Sequence, residues 1–436
     1  MAKRSTTTSR RARTWRRWVG IGSISAFAIV AGTGLAAADE GAVRYADSER
    51  AISGSYIVVL KDGVSAAATT DAQARAYSAT VRYRYGSVVR GYSATMGERQ
   101  ARRLAADPRV AYVEQDQTVS LLDTQTNPPS WGLDRVDQRD LSLNSAYTYL
   151  ATAATVNAYV IDTGIRTTHS DFGGRAVWGT NTTGDGNNSD CHGHGTHVAG
   201  TIGGTAHGVA KGVRLTAVKV LGCNGSGTNS AVIAGIDWVT ANAVRPAVAN
   251  MSLGGNASAA IDDAVKRSIT AGITYAVASG NNATDACGQS PARLGGANGP
   301  TLTVNASTKT DGKASFSNYG RCTDLFAPGS DITSAGKDSD TATRSLSGTS
   351  MAAPHVAGAA ALYLAGNPTA TPQQVKSGIV GNASSAKITS VSGDTPNRLL
   401  YTGQGAQQPP QPSPTPTPTP TPAPAPPWWC QWWCWR

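Results

Sequence analysis

The sequence predicts an α/β fold: a mainly parallel central sheet with helices on both faces, preceded by a small α+β unit. Two observations carry this. Apolar, strand-like runs at 156–161, 213–221, 247–252 and 273–278 alternate with helical patterns at 195–203, 229–242 and 259–271, and strands that alternate with helices line up as parallel neighbours. Upstream, residues 39–123 mix strand and helix signals and contain no cysteine, so they read as a separate unit.

Taken in chain order, residues 1–38 hold seven Lys or Arg and no acidic residue, and they run through apolar Val19–Leu35 into Ala36-Ala37-Ala38. A basic start, a short apolar stretch and a small-residue exit read as a secretory signal peptide. Four glycines in that stretch make it a poor permanent span, so no stable membrane anchor is expected. The formal charge of +10 includes those seven basic residues, and removing them leaves +3. That residue of charge gives nucleic-acid binding no support.

In the next unit Ile57–Leu60 and Ala111–Glu114 read as strands, and Ala94–Ala106 reads as a helix. The following unit, 124–403, is long enough to bury a substantial core. It carries three Gly-framed segments in order: Asp162-Thr163-Gly164, His194-Gly195-Thr196-His197, and Gly348-Thr349-Ser350-Met351-Ala352-Ala353-Pro354. Asp162 ends an apolar strand, His194 opens a helix of small residues, and Ser350 opens an apolar helix over Met351–Leu364, with Pro354 in or near its first turn. A nucleophile, a base and an acid to orient the base are what acyl transfer through serine requires. Cys191, His192, His194 and His197 could instead bind zinc, but that leaves the Ser350 and Asn281 segments unexplained. The unit therefore reads as a serine peptidase.

These motifs, over roughly Trp131–Tyr401, resemble the subtilisin-like (subtilase) serine peptidases, in particular the proteinase K and aqualysin branch. The Asp, His, Ser order is that of subtilisin itself. The resemblance implies that Asp162 orients the base, His194 is general base and acid, Ser350 is the nucleophile, and Asn281 is the oxyanion-hole side chain. Gly225-Ser226-Gly227 and Ser252-Leu253-Gly254 have glycine-rich edges to which an extended peptide could add as a strand. The resemblance makes them flank the acyl-side residues of a protein or peptide substrate. Ser252 to Gly254 together with Ala278, Ser279 and Gly280 would wall the pocket for the residue before the cut. Small, uncharged walls imply a preference for aromatic and aliphatic residues there.

The same resemblance makes 39–123 an inhibitory propeptide. It would assist folding, act as an intramolecular inhibitor, and be cut off by the enzyme itself between Val119 and Asn127. Four cysteines, Cys191, Cys223, Cys287 and Cys322, permit three pairings. The resemblance selects Cys191 with Cys223 and Cys287 with Cys322. It implies no catalytic cofactor, but structural Ca²⁺ at Asp324, with carbonyls near Gly299 and Thr301, and a second site at Asp134, Asp137 and Gln138. Gly295–Asn298 looks like an insertion beside the first of these. The enzyme is expected to be secreted and monomeric. Residues 404–427 read as a Pro/Thr-rich extended linker, and 428–436 as a Trp/Cys-rich tail too short to form a core.

Overall fold

The computed structural model describes residues 40–48, 51–87, 89–117 and 123–403. The signal segment 1–38, the junction at 118–122, the linker 404–427 and the tail 428–436 lie outside the described residues.

The amino-terminal unit is a five-stranded sheet in the order Val43–Arg44, Val110–Gln117, Ala51–Leu60, Gly91–Thr95 and Thr80–Tyr85, with helices Ala66–Ala76 and Glu98–Ala105. Tyr56, Val58 and Leu60 point inward at a period of two and meet Tyr92, Leu104 and Val113 in one core. The helix expected over Ala94–Ala106 begins only at Glu98, because Gly91–Thr95 pairs antiparallel with both of its neighbours and buries Tyr92 and Ala94. At Gly91 a Cβ would stand 1.9 Å from the Val58 carbonyl oxygen, so only glycine lets the two strands approach there.

The larger unit holds a nine-stranded sheet. From one edge its order is Ser384–Ser385, Arg398–Leu399, Leu325–Pro328, Leu302–Ser307, Thr274–Ala278, Ala247–Met251, Asn157–Asp162, Arg214–Lys219 and Ala176–Asn181. Every pairing is parallel except that of the short strands Ser384–Ser385 and Arg398–Leu399. Side chains of the central strand alternate between two cores. Ala158 and Val160 face the helices His194–Gly203 and Thr349–Gly366, while Tyr159 and Ile161 face Asn229–Asn242 and Ala259–Thr270. Both faces are covered, which is why this strand reads as an unbroken apolar run. Thr349–Gly366 is apolar all round and buried from Met351 through Ala365, as a helix enclosed on every side must be.

Five strands of this sheet escape the sequence reading, among them Ser384–Ser385 and Arg398–Leu399, which are two residues each. Leu302–Ser307 alternates apolar residues with Thr303, Asn305 and Ser307, which are fully buried polar side chains. Ala176–Asn181 is a half-exposed edge and Leu325–Pro328 is only four residues long.

Candidate active site

Asp162 sits at the carboxyl end of the central strand, where the sheet presents its functional edge. Its carboxylate is fully buried; Oδ1 accepts the Thr163 N–H at 2.7 Å and lies 2.7 Å from His194 Nδ1. A carboxylate can only accept, so Nδ1 carries the proton and Nε2 is left as the basic nitrogen. Burial works against charge on His194, but the Asp162 carboxylate and its hydrogen bond outweigh it, with Asp190 adding. The imidazole pKa therefore stands above its ordinary 6.5.

His194 is held by the chain around it. Gly195 touches the Asp162 turn so closely that a Cβ would come within 2.1 Å of the Gly164 carbonyl oxygen. Gly193 precedes the helix in the left-handed region at φ 99°. Asp190, which the sequence reading missed, binds this helix start: Oδ1 accepts the Gly193 N–H at 2.7 Å, and Oδ2 accepts the Thr196 N–H at 2.8 Å. It also takes the Thr163 hydroxyl at 2.8 Å, linking the Asp162 turn to the His194 helix. An Asp just before a run of small helical residues is a capping signal that could have found it. Lys219, fully buried, was missed too; its ammonium donates to the carbonyls of Thr163 and Leu221, both at 3.0 Å.

Ser350 stands at the second position of its helix, and the same cavity of about 460 Å³ is lined by His194, Asn281 and Ser350. Its Oγ donates to the Ser252 carbonyl at 3.0 Å rather than to the imidazole. In return the Ser252 hydroxyl donates to the Ser350 carbonyl at 2.7 Å. The reason is Pro354, which lies inside the helix rather than in its first turn: it has no N–H for the carbonyl four residues back, and Ser252 satisfies that carbonyl instead. Asn281 Oδ1 accepts both the N–H and the hydroxyl of Thr349 at 2.8 Å, so its Nδ2 amino group is the donor left to act.

Around this centre, Ser252 and Ser279 are buried, Leu253 and Gly280 are half-buried, and Ser226, Gly227 and Gly254 are exposed. Ala278 ends the strand Thr274–Ala278, and Gly280, at φ 105°, donates its N–H to the Thr349 hydroxyl at 3.1 Å. Gly225 lies against the His192 ring. Ser252 and Gly280 thus bond to the start of the Ser350 helix, and Gly225 lies against His192, which lines the same cavity as Ser350. Cys191 is bonded to Cys223 and Cys287 to Cys322. Zinc at Cys191 is thereby removed, since that sulfur is in a disulfide. His197 donates to the Ile332 carbonyl, and burial lowers its pKa to about 4.

The two expected calcium positions differ. At Asp324 the residues do not fit a metal ion, because the Lys376 ammonium lies 2.8 Å from Oδ1 and takes the Gly299 and Thr301 carbonyls as well. The expectation of calcium on Asp324 is corrected accordingly: a lysine already supplies the positive charge. At the second position, Asp134 accepts the Gln138 amide and the N–H groups of Asn144 and Ser145. Asp137 Oδ1 is buried with no partner among the described residues, and burial, with Asp134's charge adding, raises the Asp137 pKa to about 6. An all-oxygen set with an unpartnered buried carboxylate oxygen fits a hard dication.

A buried Asp–His pair beside a serine, at the carboxyl ends of a parallel sheet, is the apparatus of a serine hydrolase. Comparison with known families agrees. The subtilase family (Peptidase_S8) profile matches residues 156–405, and the peptidase inhibitor I9 profile matches residues 55–122. The chain belongs to the subtilase family, as a serine proteinase with an amino-terminal I9 propeptide domain.

It is 49% identical over 407 residues to an extracellular serine proteinase of Thermus sp. (strain Rt41A), covering 88% of this chain and 98% of that one. It is 46% identical over 374 residues to alkaline serine exoprotease A of Vibrio alginolyticus, covering 82% of this chain and 69% of that one. Among solved structures, a cold adapted subtilisin-like serine proteinase is 51% identical with a TM-score of 0.60, covering 62% of this chain and 97% of that one. No helix among the described residues is long and apolar enough to cross a membrane.

Proposed function

We propose that this chain is a secreted, autoprocessing endopeptidase that hydrolyses peptide bonds in proteins. The observation that carries it is the 2.7 Å contact of His194 Nδ1 with Asp162, with His194, Asn281 and Ser350 lining one cavity. Substrate entry would turn the Ser350 hydroxyl from the Ser252 carbonyl to His194 Nε2, a contact that commonly closes only when substrate is bound. His194 takes the hydroxyl proton as Oγ attacks the scissile carbonyl, and Asp162 stabilises the imidazolium. Asn281 Nδ2 and the Ser350 backbone N–H meet the oxyanion. His194 then returns the proton to the leaving amine, and water repeats the cycle on the acyl-enzyme. No cofactor takes part in these steps.

The small, uncharged walls at Ser252, Leu253, Gly254, Ala278, Ser279 and Gly280 support cleavage after aromatic and aliphatic residues. A dominant preference for Lys, Arg or acidic residues in a peptide library would overturn that part. Residues 1–38 act as the export signal, and the names of the relatives support an extracellular site of action. The strand Asp123–Thr126 pairs with Ala146–Tyr149, and Gln125 bonds to Ala206 and Lys211, so the peptidase unit, about 124–403, retains this strand. That supports a propeptide cut upstream of it. A calcium ion at Asp137, with Asp134 and Gln138, would brace the same region of a monomeric enzyme.

The test is expression of residues 39–436 with and without Ser350→Ala. Casein cleavage blocked by phenylmethylsulfonyl fluoride, with a new amino terminus only in the Ser350 form, is the expected result. Maturation of Ser350→Ala in the absence of other proteases would overturn autoprocessing.

A further inference from the structure

Lys376, on the helix Pro372–Asn382, directs its ammonium into a cage of four oxygens. The carbonyls of Gly296, Gly299 and Thr301 lie at 2.8, 2.7 and 2.8 Å, and Asp324 Oδ1 lies at 2.8 Å. The Lys376 and Asp324 side chains are 5% and 3% exposed. An ammonium has three N–H groups and no acceptor, so four inward oxygens suit it only as a cation, with one proton shared. Asp324 Oδ2 is occupied separately by the Thr303 N–H at 2.8 Å.

The cage is shaped by backbone that leaves no room for side chains. A Cβ on Gly299 would stand 2.0 Å from the Leu294 carbonyl oxygen, and one on Gly295 would stand 2.3 Å from Thr303 Oγ1. Gly296 adopts φ +83°. The segment that looked like an insertion in the sequence therefore delivers one of the four oxygens and crowds the others inward.

We propose that Lys376 is a built-in cation, standing where the family resemblance implied a calcium ion, and that removing its ammonium converts the cage into a divalent-cation site. Calcium prefers six to eight oxygen ligands at 2.3–2.6 Å. The four present, spaced for hydrogen bonds, would close in and be completed by water in the space the lysine vacates. A bound ion stabilises a fold only when its free concentration exceeds its dissociation constant, whereas a tethered ammonium is always present. What the cage ties together is the side of the sheet that carries the proposed specificity pocket. Thr301 and Thr303 belong to the segment entering the strand Leu302–Ser307, which pairs with Thr274–Ala278, and Ala278 begins the pocket wall. This enzyme thus holds that wall without drawing on ambient calcium.

The experiment uses the mature enzyme inactivated with phenylmethylsulfonyl fluoride, as wild type, Lys376→Ala and Lys376→Ala/Asp324→Asn, each produced in calcium-rich medium and then stripped with EDTA. Calcium stoichiometry comes from titration calorimetry, and melting temperature is read at one fixed scan rate. Stripped Lys376→Ala should melt on the order of 10 °C below stripped wild type, since a buried carboxylate has lost its partner. It should take up one more calcium per chain than wild type, and calcium should restore most of the loss. The double variant should gain neither the ion nor the rescue.

Equal stoichiometry in Lys376→Ala and wild type, with no rescue, would reduce Lys376 to an ordinary ion pair and overturn the proposal. Failure of Lys376→Ala to accumulate even in calcium, where wild type accumulates, would do the same. Asp324→Asn alone provides a second check: it must leave the wild-type calcium stoichiometry unchanged, and a loss of one ion would mean that calcium already occupies the cage. Every increment is read against wild type, so the outcome is separable from an ion at Asp137 and from the peptidase reading.

Discussion

Among the described residues, two Asp–His pairs have nearly the same contact and different surroundings. Asp162 lies 2.7 Å from His194 Nδ1, and Asp171 lies 2.9 Å from His207 Nδ1. The His194 side chain is 20% exposed and lines the cavity with Ser350 and Asn281. The His207 side chain is 6% exposed, and its Nε2 is buried with no partner among the described residues. Asp171 also accepts the Ala206 N–H at 2.6 Å, which makes this second pair a clamp on the turn after the His194 helix. A carboxylate oriented on an imidazole is therefore not an active site in itself. What differs is the setting of the ring: His194 lines a cavity with Ser350 and Asn281, whereas the far nitrogen of His207 is sealed in the interior.

The largest break in the comparison comes from His194→Ala, which should lower kcat by about 10⁶-fold, a figure taken from subtilisin itself. His207→Ala should leave kcat within a few-fold at a temperature where both proteins are folded. A comparable fall in kcat for both variants would erase the distinction.

Asp162→Asn should cost about 10⁴-fold, again the order seen in subtilisin. Its pH profile sharpens the point. His194 acts as a base only when neutral, so activity should rise with pH through a pKa above 6.5, the direction that Asp162 imposes. Removing the carboxylate charge should move that acid limb toward lower pH; an unmoved limb would mean that another group controls it.

Asn281→Ala should lower kcat by about 100- to 1000-fold with little change in KM, the loss known for such a donor in subtilisin. A loss confined to KM would place Asn281 in substrate binding alone.

The smallest effect on catalysis, and the clearest on stability, belongs to the sealed pair. His207→Ala leaves Asp171 Oδ2 buried without its partner, at about 1–3 kcal/mol, and should lower the melting temperature by roughly 3–10 °C. Burial acts to raise the Asp171 pKa, but the His207 and Ala206 hydrogen bonds outweigh it and leave the pKa below 3.8. A depressed carboxylate contributes stability that is present above its unfolded pKa and is lost as pH falls through the folded one. The gap in stability between wild type and His207→Ala should therefore narrow in acid below that range, and a constant gap would count against the clamp.

Local chemistry made Asp162, His194 and Ser350 legible in the sequence. Each sits at a strand end or helix start framed by glycine, and the required conformation leaves a trace in residue type. The alternation of apolar strands and helices was equally legible, because a sheet covered on both faces must draw two apolar cores from one run, as Ala158 and Val160 do against Tyr159 and Ile161. Lys219 and Lys376 were not legible in this way. A buried lysine looks like any surface lysine in a sequence, since what holds it includes carbonyls brought from distant segments, Thr163 for Lys219 and Gly296 for Lys376.

The sequence by itself determined the class of fold, the chain order of Asp162, His194 and Ser350, and the presence of a propeptide, all carried by local patterns. Only the tertiary structure decided which Asp–His pair shares a cavity with a serine, which cysteines join, and that a lysine stands where calcium was expected. Those outcomes depend on groups far apart in the chain meeting within 3 Å, such as Lys376 and Gly296, 80 residues apart, and local pattern carries no information about such meetings.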